Sequence, residues 1–460
     1  MKNRINHIGI FIMLVLAALL LMGMLPQISV FGHPLRKVDI LSDLHPKNVE
    51  NVDSLEVEEV LLPPPPKPAF VDTCRTGKVC IEDYSDETQR GMMPYYQALD
   101  QLQQGNRLVR VAYYGDSFVE GDILTADLRE MLQNEYGGCG IGYTPITSIS
   151  SGFRVSVRQS ATGFTRHSIM DTDGEFENAL QDISNHYFKA DPEASIRFRG
   201  QNKYYARLDT FYHAAFFFNP DSASTIAASV NGRGVFQKEF KGDKLQVAEV
   251  DGKIGSVTFS VPEAHENALF YGVAMDGETG IALDNLSMRG ASGLNVRAIP
   301  AKMMRRFYEL RPYDLVILQY GLNVATQQGY NYDGYIKGMK TTIQHLKEYF
   351  PGAGILIVSV ADRDYKNSDG EVKTMPGIRN LIRYQQNLAA EEGVAFWNMF
   401  EAMGGNESMK TLVDAKPSMA NYDYTHINAR GGKHLAGLLF EALVYGKEQY
   451  DRRRAYEENP

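Results

Sequence analysis

The chain has 460 residues, of which 44% are hydrophobic and 22% charged, so its composition is that of an ordinary globular protein of two or three domains. Its formal net charge of −9 argues against nucleic acid as a partner, because phosphate binding needs a clustered positive field. The ten histidines and three cysteines show no spacing typical of a metal site, so we expect neither a metal nor a cofactor.

Residues 1–26 are predicted to form a signal-anchor that crosses the membrane as a helix. Lys2 and Arg4 precede 18 uncharged residues, which is the lower limit for spanning a bilayer. No A-x-A-like cleavage site follows, so an uncleaved anchor is favoured and a cleaved signal peptide is the alternative. Either form places the rest of the chain outside the cytoplasm, which is the periplasm in a Gram-negative cell.

Residues 27–88 are predicted to be an extended proline-rich linker. Four consecutive prolines, residues 63–66, favour a semi-rigid polyproline II segment that holds the following domains away from the membrane. Cys74 and Cys80 are candidates for a disulfide, because they flank a short loop and export permits such a bond. The alternative is that both cysteines, and Cys139, are reduced.

Residues 89–149 and 286–446 show alternating helix and strand patterns, which together predict one α/β domain. Its strands are continuous apolar runs, which is typical of a parallel sheet buried on both faces. These runs cover residues 108–114, 314–319 and 354–360.

Residues 150–285 interrupt this domain with short alternating or aromatic runs separated by turn residues. Such a pattern predicts an all-β insertion, a sandwich or jelly roll. Residues 447–460 are predicted to be a C-terminal tail.

A candidate catalytic serine, Ser117, follows the first apolar strand. Active sites of α/β proteins form at the carboxyl ends of parallel strands, but a serine needs a neighbouring base to act as a nucleophile. His426 is a candidate base, and Asp423 three residues earlier can accept its Nδ1–H. Taken singly, the serine motif is also compatible with a loop ending in a helix cap, and the Asp/His pair with a surface ion pair or a loop hydrogen bond.

Two further residues are suited to an oxyanion hole, in which hydrogen-bond donors stabilise negative charge on a carbonyl oxygen. Gly293 lies in a glycine-flanked loop, residues 289–295, where backbone N–H groups can approach a substrate. Asn323 directly follows the strand that ends near residue 320 and offers a neutral amide donor. Each residue alone is also typical of a turn.

Ser117, Gly293, Asn323 and the Asp423/His426 pair occur in the order of four sequence blocks, and on these blocks the chain resembles the SGNH (GDSL-like) hydrolases. The resemblance covers the two α/β segments and implies a flavodoxin-like parallel-sheet hydrolase domain. It also implies that Ser117 is the nucleophile, His426 the base and Asp423 its orienting acid. The oxyanion hole would comprise the N–H groups of Ser117 and Gly293 and the side chain of Asn323.

The resemblance is greatest to bacterial peptidoglycan O-acetylesterases, in which the inserted β domain is similar to a carbohydrate-binding jelly roll. Residues 142–145, 396–398 and 402–405 also resemble those enzymes, whereas Val324 stands where the third block usually has a non-catalytic Asp. The implied function is an exported esterase that removes O-acetyl groups from a cell-wall polysaccharide through an acyl-serine.

Other functions stay open at this point. A polysaccharide O-acetyltransferase uses the same triad and passes the acyl group to a sugar hydroxyl instead of water. A non-catalytic carbohydrate-binding envelope protein would have no reason to keep all five site residues. A lipase or thioesterase is less favoured, because a β insertion suits a bulky glycan better. The sugar, its acylated hydroxyl and the oligomeric state do not follow from the sequence.

Overall fold

The computed structural model describes residues 10, 13–15, 29–30, 33–34, 74–86, 91–105, 107–172 and 175–458. Most of the predicted signal-anchor and most of the predicted linker lie outside these residues. Among the described residues, no helix has both the length and the apolar character needed to cross a membrane. Within the unit formed by residues 1–59, two short strands pair antiparallel, β1 (Ser29–Val30) and β2 (His33–Pro34).

The second unit, residues 60–460, contains a six-stranded sheet that forms the centre of an α/β domain. Five strands are parallel, and a short sixth strand adds antiparallel at one edge. The central strands are almost entirely buried, as their continuous apolar runs predict. In spatial order the strands are β14 (Gly280–Asn285), β4 (Leu108–Gly115), β15 (Leu315–Gln319), β16 (Gly354–Val358), β19 (Ala395–Trp397) and β3 (Glu82–Asp83).

Amphipathic helices accompany the sheet, and their apolar faces supply its covering layers. They are α1 (Met93–Gln104), α2 (Thr125–Tyr136), α3 (Ala301–Leu310), α4 (Asp333–Tyr349), α5 (Gly377–Glu392), α6 (Met399–Ala402), α7 (Ser408–Asp414) and α8 (Ala429–Glu458). A small hairpin, β17 (Asp364–Lys366) and β18 (Val372–Thr374), lies between β16 and α5.

Helix α8 corrects the prediction of a C-terminal tail at 447–460, because the helix continues through Glu458. The buried Lys447 forms ion pairs with Asp100 of α1 at 2.7 Å and with Asp451 at 2.6 Å. These contacts hold the end of the helix against the domain.

Residues 74–86 pack on the α/β domain and so do not belong to an extended linker. Cys74 and Cys80 form a disulfide, one of the two alternatives that the sequence allows, and Cys139 is a free thiol. The indole N–H of Trp397 donates to the Val79 carbonyl at 3.1 Å, next to the pairing of β3 with β19. The predicted linker, residues 27–88, therefore ends before Cys74.

The insertion forms a separate nine-stranded antiparallel sheet. Alternate residues point to its interior, where aromatic side chains such as Phe198, Phe216 and Phe259 form a second core. The predicted combination of a sheet containing parallel strands and a separate antiparallel sheet is confirmed. The strands are β5 (Gly142–Pro145), β6 (Arg158–Ser168), β7 (His186–Arg199), β8 (Phe211–Asn219), β9 (Ser222–Val230), β10 (Arg233–Gly242), β11 (Gln246–Ile254), β12 (Ser256–Ala264) and β13 (Leu269–Asp276).

The structure differs from both predicted limits of the insertion, residues 150–285. Strand β5 lies before residue 150 yet pairs with β13 of the antiparallel sheet. Strand β14 lies before residue 286 yet pairs in parallel with β4. Short buried strands have the same apolar pattern in either sheet, so the pattern alone does not assign them to a domain.

Candidate active site

Ser117 lies in the tight turn that joins β4 to the helical segment that follows. A Cβ atom on Gly115 would lie 2.3 Å from Val119 Cγ2, so this turn requires glycine. The buried Asp116 carboxylate accepts the backbone N–H of Phe118 at 3.0 Å and also bonds the N–H of Leu322. Burial raises the pKa of Asp116 to about 6, although these hydrogen bonds and the charge of His426 oppose the rise. Asp116 therefore joins the turn after β4 to the loop after β15.

Ser117 is the first member of a hydrogen-bonded chain of three side chains. Its Oγ lies 3.0 Å from Nε2 of His426, although 309 positions separate the two residues in sequence. The other ring nitrogen, Nδ1, lies 2.8 Å from Oδ2 of Asp423. This arrangement leaves the imidazole oriented to accept a proton from the serine hydroxyl.

Asp423 is held as an ionised acceptor by the turn that carries it. Its Oδ1 accepts the backbone N–H groups of Thr425 and His426, both at 3.0 Å. Burial raises the pKa of Asp423, but the hydrogen bonds from His426 and Thr425 outweigh it, and the pKa lies below its usual value. A charged carboxylate at this position fixes the tautomer of the imidazole and stabilises its protonated form.

The turn between α7 and α8 has several backbone contacts that position His426. Tyr424 adopts a left-handed conformation with φ of 53°, which is uncommon for a large side chain. Its carbonyl accepts the N–H of Asp364, at the start of β17, at 3.0 Å. The N–H of Asn421 also donates to the carbonyl of His426 at 2.8 Å. These hydrogen bonds stabilise the turn that contains the strained residue Tyr424.

The two further residues predicted for an oxyanion hole lie in loops at the same edge of the sheet. Gly293 has φ of 88°, and a Cβ there would lie 2.7 Å from the Tyr320 ring, so the position requires glycine. The side chain of Asn323 donates to the Ala291 carbonyl at 2.9 Å, which joins the loop after β15 to the loop that carries Gly293. Within the described residues, the backbone N–H groups of Ser117 and Gly293 donate no hydrogen bond.

The insertion contributes residues beside this site that the sequence pattern did not reveal. A Cβ on Gly121 would lie 2.5 Å from the Phe153 ring, and one on Gly290 would lie 2.8 Å from Met170 Cε. Phe153 is 55% exposed and Met170 40% exposed, so apolar surface borders the loops next to Ser117 and Gly293. No periodicity distinguishes such loop residues, and only the folded chain places them.

Buried polar contacts connect the insertion to the loops of the site. The carboxylate of Asp122 bonds Arg129, Ser156 and Asn285, and thereby connects the start of α2 with the insertion and the end of β14. Burial raises the pKa of Asp122, but the two neighbouring guanidinium groups, Arg129 and Arg154, hold it well below its usual value. In the described part of the chain, no group of three or more His, Cys, Asp or Glu side chains is placed to hold a metal ion.

The fold and the hydrogen-bonded Ser–His–Asp chain define a class, the α/β proteins with a serine at the end of a parallel strand. Among solved structures, the chain is similar to a peptidoglycan O-acetylesterase, with a TM-score of 0.65 and 22% identity over 80% of this chain and 99% of that one. The protein therefore has the fold of that esterase.

Two family two carbohydrate esterases, from Cellvibrio japonicus and from Clostridium thermocellum in complex with cellohexaose, match at lower similarity. Their TM-scores are 0.25 and 0.27, each at 10% identity, and the matches cover 64% and 62% of this chain and 99% and 100% of theirs. No family model matches the sequence. A search of curated proteins found no similar sequence.

Proposed function

We propose that the protein is a serine esterase that removes O-acetyl groups from a cell-wall polysaccharide, and that this polysaccharide is peptidoglycan. The observation that carries this proposal is the hydrogen-bonded chain from Ser117 through His426 to Asp423. The similarity in fold to a peptidoglycan O-acetylesterase supports the choice of substrate. We further propose that the insertion is a carbohydrate-binding domain, in keeping with its antiparallel sheet and its position beside the site.

The proposed reaction transfers the acetyl group in two steps. His426 Nε2 takes the hydroxyl proton of Ser117 while Oγ attacks the ester carbonyl, and the negative charge develops on the carbonyl oxygen. The N–H groups of Ser117 and Gly293 and the amide of Asn323 would bind that oxygen. Protonated His426 then gives its proton to the departing sugar oxygen, and an acetyl-serine remains.

In the second step His426 removes a proton from a water molecule, which attacks the acetyl-serine carbonyl. Protonated His426 then returns the proton to Ser117 Oγ as the acyl–oxygen bond breaks, and acetic acid leaves and ionises to acetate. Asp423 stays ionised in both steps, because the hydrogen bonds it accepts hold its pKa below the usual value. A sugar hydroxyl in place of water would make the protein an acetyltransferase. The two functions therefore differ only in the group that accepts the acetyl from the same intermediate.

Acetate release decides between these acceptors. Purified full-length protein in detergent is incubated with O-acetylated peptidoglycan, with and without an excess of soluble, de-acetylated glycan fragments. We expect free acetate to accumulate equally in both, and none with the Ser117→Ala protein. A lower yield of free acetate in the presence of the fragments, together with the appearance of acetylated fragments, would identify a transferase. No acetyl transfer to either water or the fragments would contradict the proposal.

We also propose that the protein is exported and held at the membrane by its N-terminal segment. Lys2 and Arg4 before 18 uncharged residues support this topology, and the Cys74–Cys80 disulfide is typical of an oxidising compartment. A reporter that is active only after export, fused after Pro460, should be active, and a reporter active only in the cytoplasm should be silent. The opposite pattern would remove a wall polysaccharide from the reachable substrates.

A further inference from the structure

One face of the antiparallel sheet is open and polar. Along β7 the side chains alternate, so that Ile196 and Phe198 are buried in the core while Arg197 and Arg199 are exposed on the other side. Strands β6, β12 and β9 continue the same alternation beside β7. Their outward residues are Arg158, Ser160 and Thr162 on β6, Ser256, Thr258 and Ser260 on β12, and Ser229 on β9. We call this surface the open face.

Three arginines are grouped at one end of the open face. Arg158 stands directly opposite Arg199 in the antiparallel pairing of β6 with β7. Opposed residues in such a pair have Cα atoms about 5 Å apart, and Arg197, two residues along the strand, is about 7 Å from Arg199. Like charges at these separations repel each other and disfavour the folded sheet.

No ion pair offsets this repulsion within the described part of the chain. Arg158, Arg197 and Arg199 form no salt bridge there, although the protein as a whole has a net charge of −9. One acid, Asp209, lines the same end of the face, and its carboxylate accepts the Asn202 amide at 3.2 Å. The arginine group thus has an excess of positive charge that is exposed to solvent.

The arginines line a groove of about 680 Å³ at this end of the face. Lys203 adds a fourth cation to its wall, and the exposed ring of Tyr204 lies 4.9 Å from the Lys203 ammonium group. The lining also includes Gln201, Asn202, Asn231 and Ser256, together with one acid, Asp209. The groove therefore combines guanidinium groups with hydroxyl and amide groups suited to sugar hydroxyls.

We propose that this groove binds carboxylate groups carried by a glycan polymer, such as those on the peptide branches of a cell wall. A planar guanidinium matches a carboxylate through two parallel N–H···O bonds, and three arginines in one groove offer several such matches. The row of serine and threonine hydroxyls beside them would contact the uncharged sugar backbone. Binding would also remove the repulsion between Arg158 and Arg199.

The position of the groove indicates an anchoring role, separate from the chemical step. Strand β6 ends and strand β7 begins beside the active-site loop, where Asn185 donates to the Asn295 carbonyl at 3.3 Å. From Ser168 to Arg158 the strand β6 extends over ten residues, which is roughly 33 Å at ~3.3 Å per residue. A polymer bound at the arginines could therefore reach Ser117, but a small ester gains nothing from the groove. That the groove contributes to turnover of the polymer rests on the proposed esterase function. That the groove binds carboxylates does not rest on it.

Binding to insoluble cell-wall sacculi tests the proposal without any turnover. The sacculi are stripped of phosphate polymers with hydrofluoric acid and of acetyl esters with base, and half are then amidated with carbodiimide and ammonium chloride. Full-length protein should co-sediment with the half that is not amidated, here called untreated. Its affinity for the amidated half, which lacks free carboxylates, should be lower by at least about tenfold. Equal binding to the two halves would overturn the proposal.

Charge-matched variants assign the binding to the groove. The triple variant Arg158→Gln, Arg197→Gln, Arg199→Gln should bind untreated sacculi no better than wild-type protein binds amidated ones, and amidation should not weaken it further. The control Lys238→Gln, Lys241→Gln, Lys244→Gln changes the net charge equally on β10 and the turn that leads from it to β11, and should bind like wild type. Equal loss in the control would show a non-specific charge effect and contradict the proposal.

A second triple variant, Arg158→Lys, Arg197→Lys, Arg199→Lys, keeps the charge but loses the two-bond geometry. We expect it to lose at least about half of the discrimination between untreated and amidated sacculi. Full retention would contradict carboxylate recognition by the guanidinium groups. Unchanged turnover of a small acetyl ester in every variant would separate this result from a failure of the esterase function.

Discussion

Ser117→Ala is expected to lower kcat/KM for an activated acetyl ester by roughly 10⁴- to 10⁶-fold. The hydroxyl that this substitution removes lies 3.0 Å from His426 Nε2, and no other group in the hydrogen-bonded chain can form the acyl intermediate. Turnover of p-nitrophenyl acetate at neutral pH, corrected for spontaneous hydrolysis, measures the loss. The melting temperature should change little, because the side chain is small and only partly buried.

Two companion variants make this result specific. Ser160→Ala removes an exposed hydroxyl from the open face of the insertion and should leave kcat/KM unchanged. His426→Ala should be nearly as inactive as Ser117→Ala, and the double variant no worse than either, because the two groups act as one unit. A folded Ser117→Ala protein with more than a tenth of wild-type activity would remove Ser117 as the nucleophile.

The placement of the proposed catalytic residues could be predicted because each is tied to a local signal. Ser117 and Asn323 follow the apolar runs that became β4 and β15, and parallel neighbouring strands end at the same edge of the sheet. The pairing of Gln319 with Gly115 brings their loops side by side. The Asp423/His426 pair was recognisable by its spacing, although its distance from Ser117 in the folded chain depends on contacts over 309 positions.

The limits of the insertion could not be predicted in the same way. Strand β14 is a six-residue buried run whose pattern fits either sheet, and only its pairing with β4 assigns it to the α/β domain. A deletion of residues 150–285 would therefore remove an edge strand of the parallel sheet. Variants that keep β14, such as those on the open face, test the role of the insertion more cleanly.

Buried charges are the feature that the sequence concealed most completely. In sequence, Arg311 is one basic residue after a helix, and such residues are usually exposed. In the structure it is buried and binds two acids, with N···O distances of 2.5 and 3.0 Å to Asp276 and 2.6 and 2.7 Å to Asp284. Asp276 ends β13 of the insertion, and Asp284 lies in β14 of the α/β domain. One guanidinium group thus fastens the two sheets together.

Arg311→Met is expected to lower the free energy of unfolding by about 3–5 kcal/mol, because Arg110, 3.7 Å from Asp276, is then the remaining cation beside two buried carboxylates. Tyr313 would still donate to Asp284 at 2.6 Å, but a neutral hydroxyl does not offset the charge. The exposed Arg305, which lies 3.8 Å from Glu348, supplies the control, and Arg305→Met should cost less than about 1 kcal/mol. Urea denaturation followed by tryptophan fluorescence and circular dichroism measures both variants.

The loss of stability caused by Arg311→Met should depend on pH, and the contacts of Asp276 determine the direction of that dependence. Burial raises the pKa of Asp276, but Arg311 and Arg110 outweigh it, so the pKa in the wild-type protein lies below the usual value. Without Arg311, burial should raise the pKa above that of the unfolded chain. The folded variant would then bind more protons than the unfolded chain above about pH 4, so its stability should fall as pH rises. We therefore expect a larger deficit against wild type at pH 8 than at pH 5. An equal deficit at both pH values would show that Arg311 stabilises the junction by packing alone, and a deficit no larger than that of Arg305→Met would show that the two sheets do not depend on it.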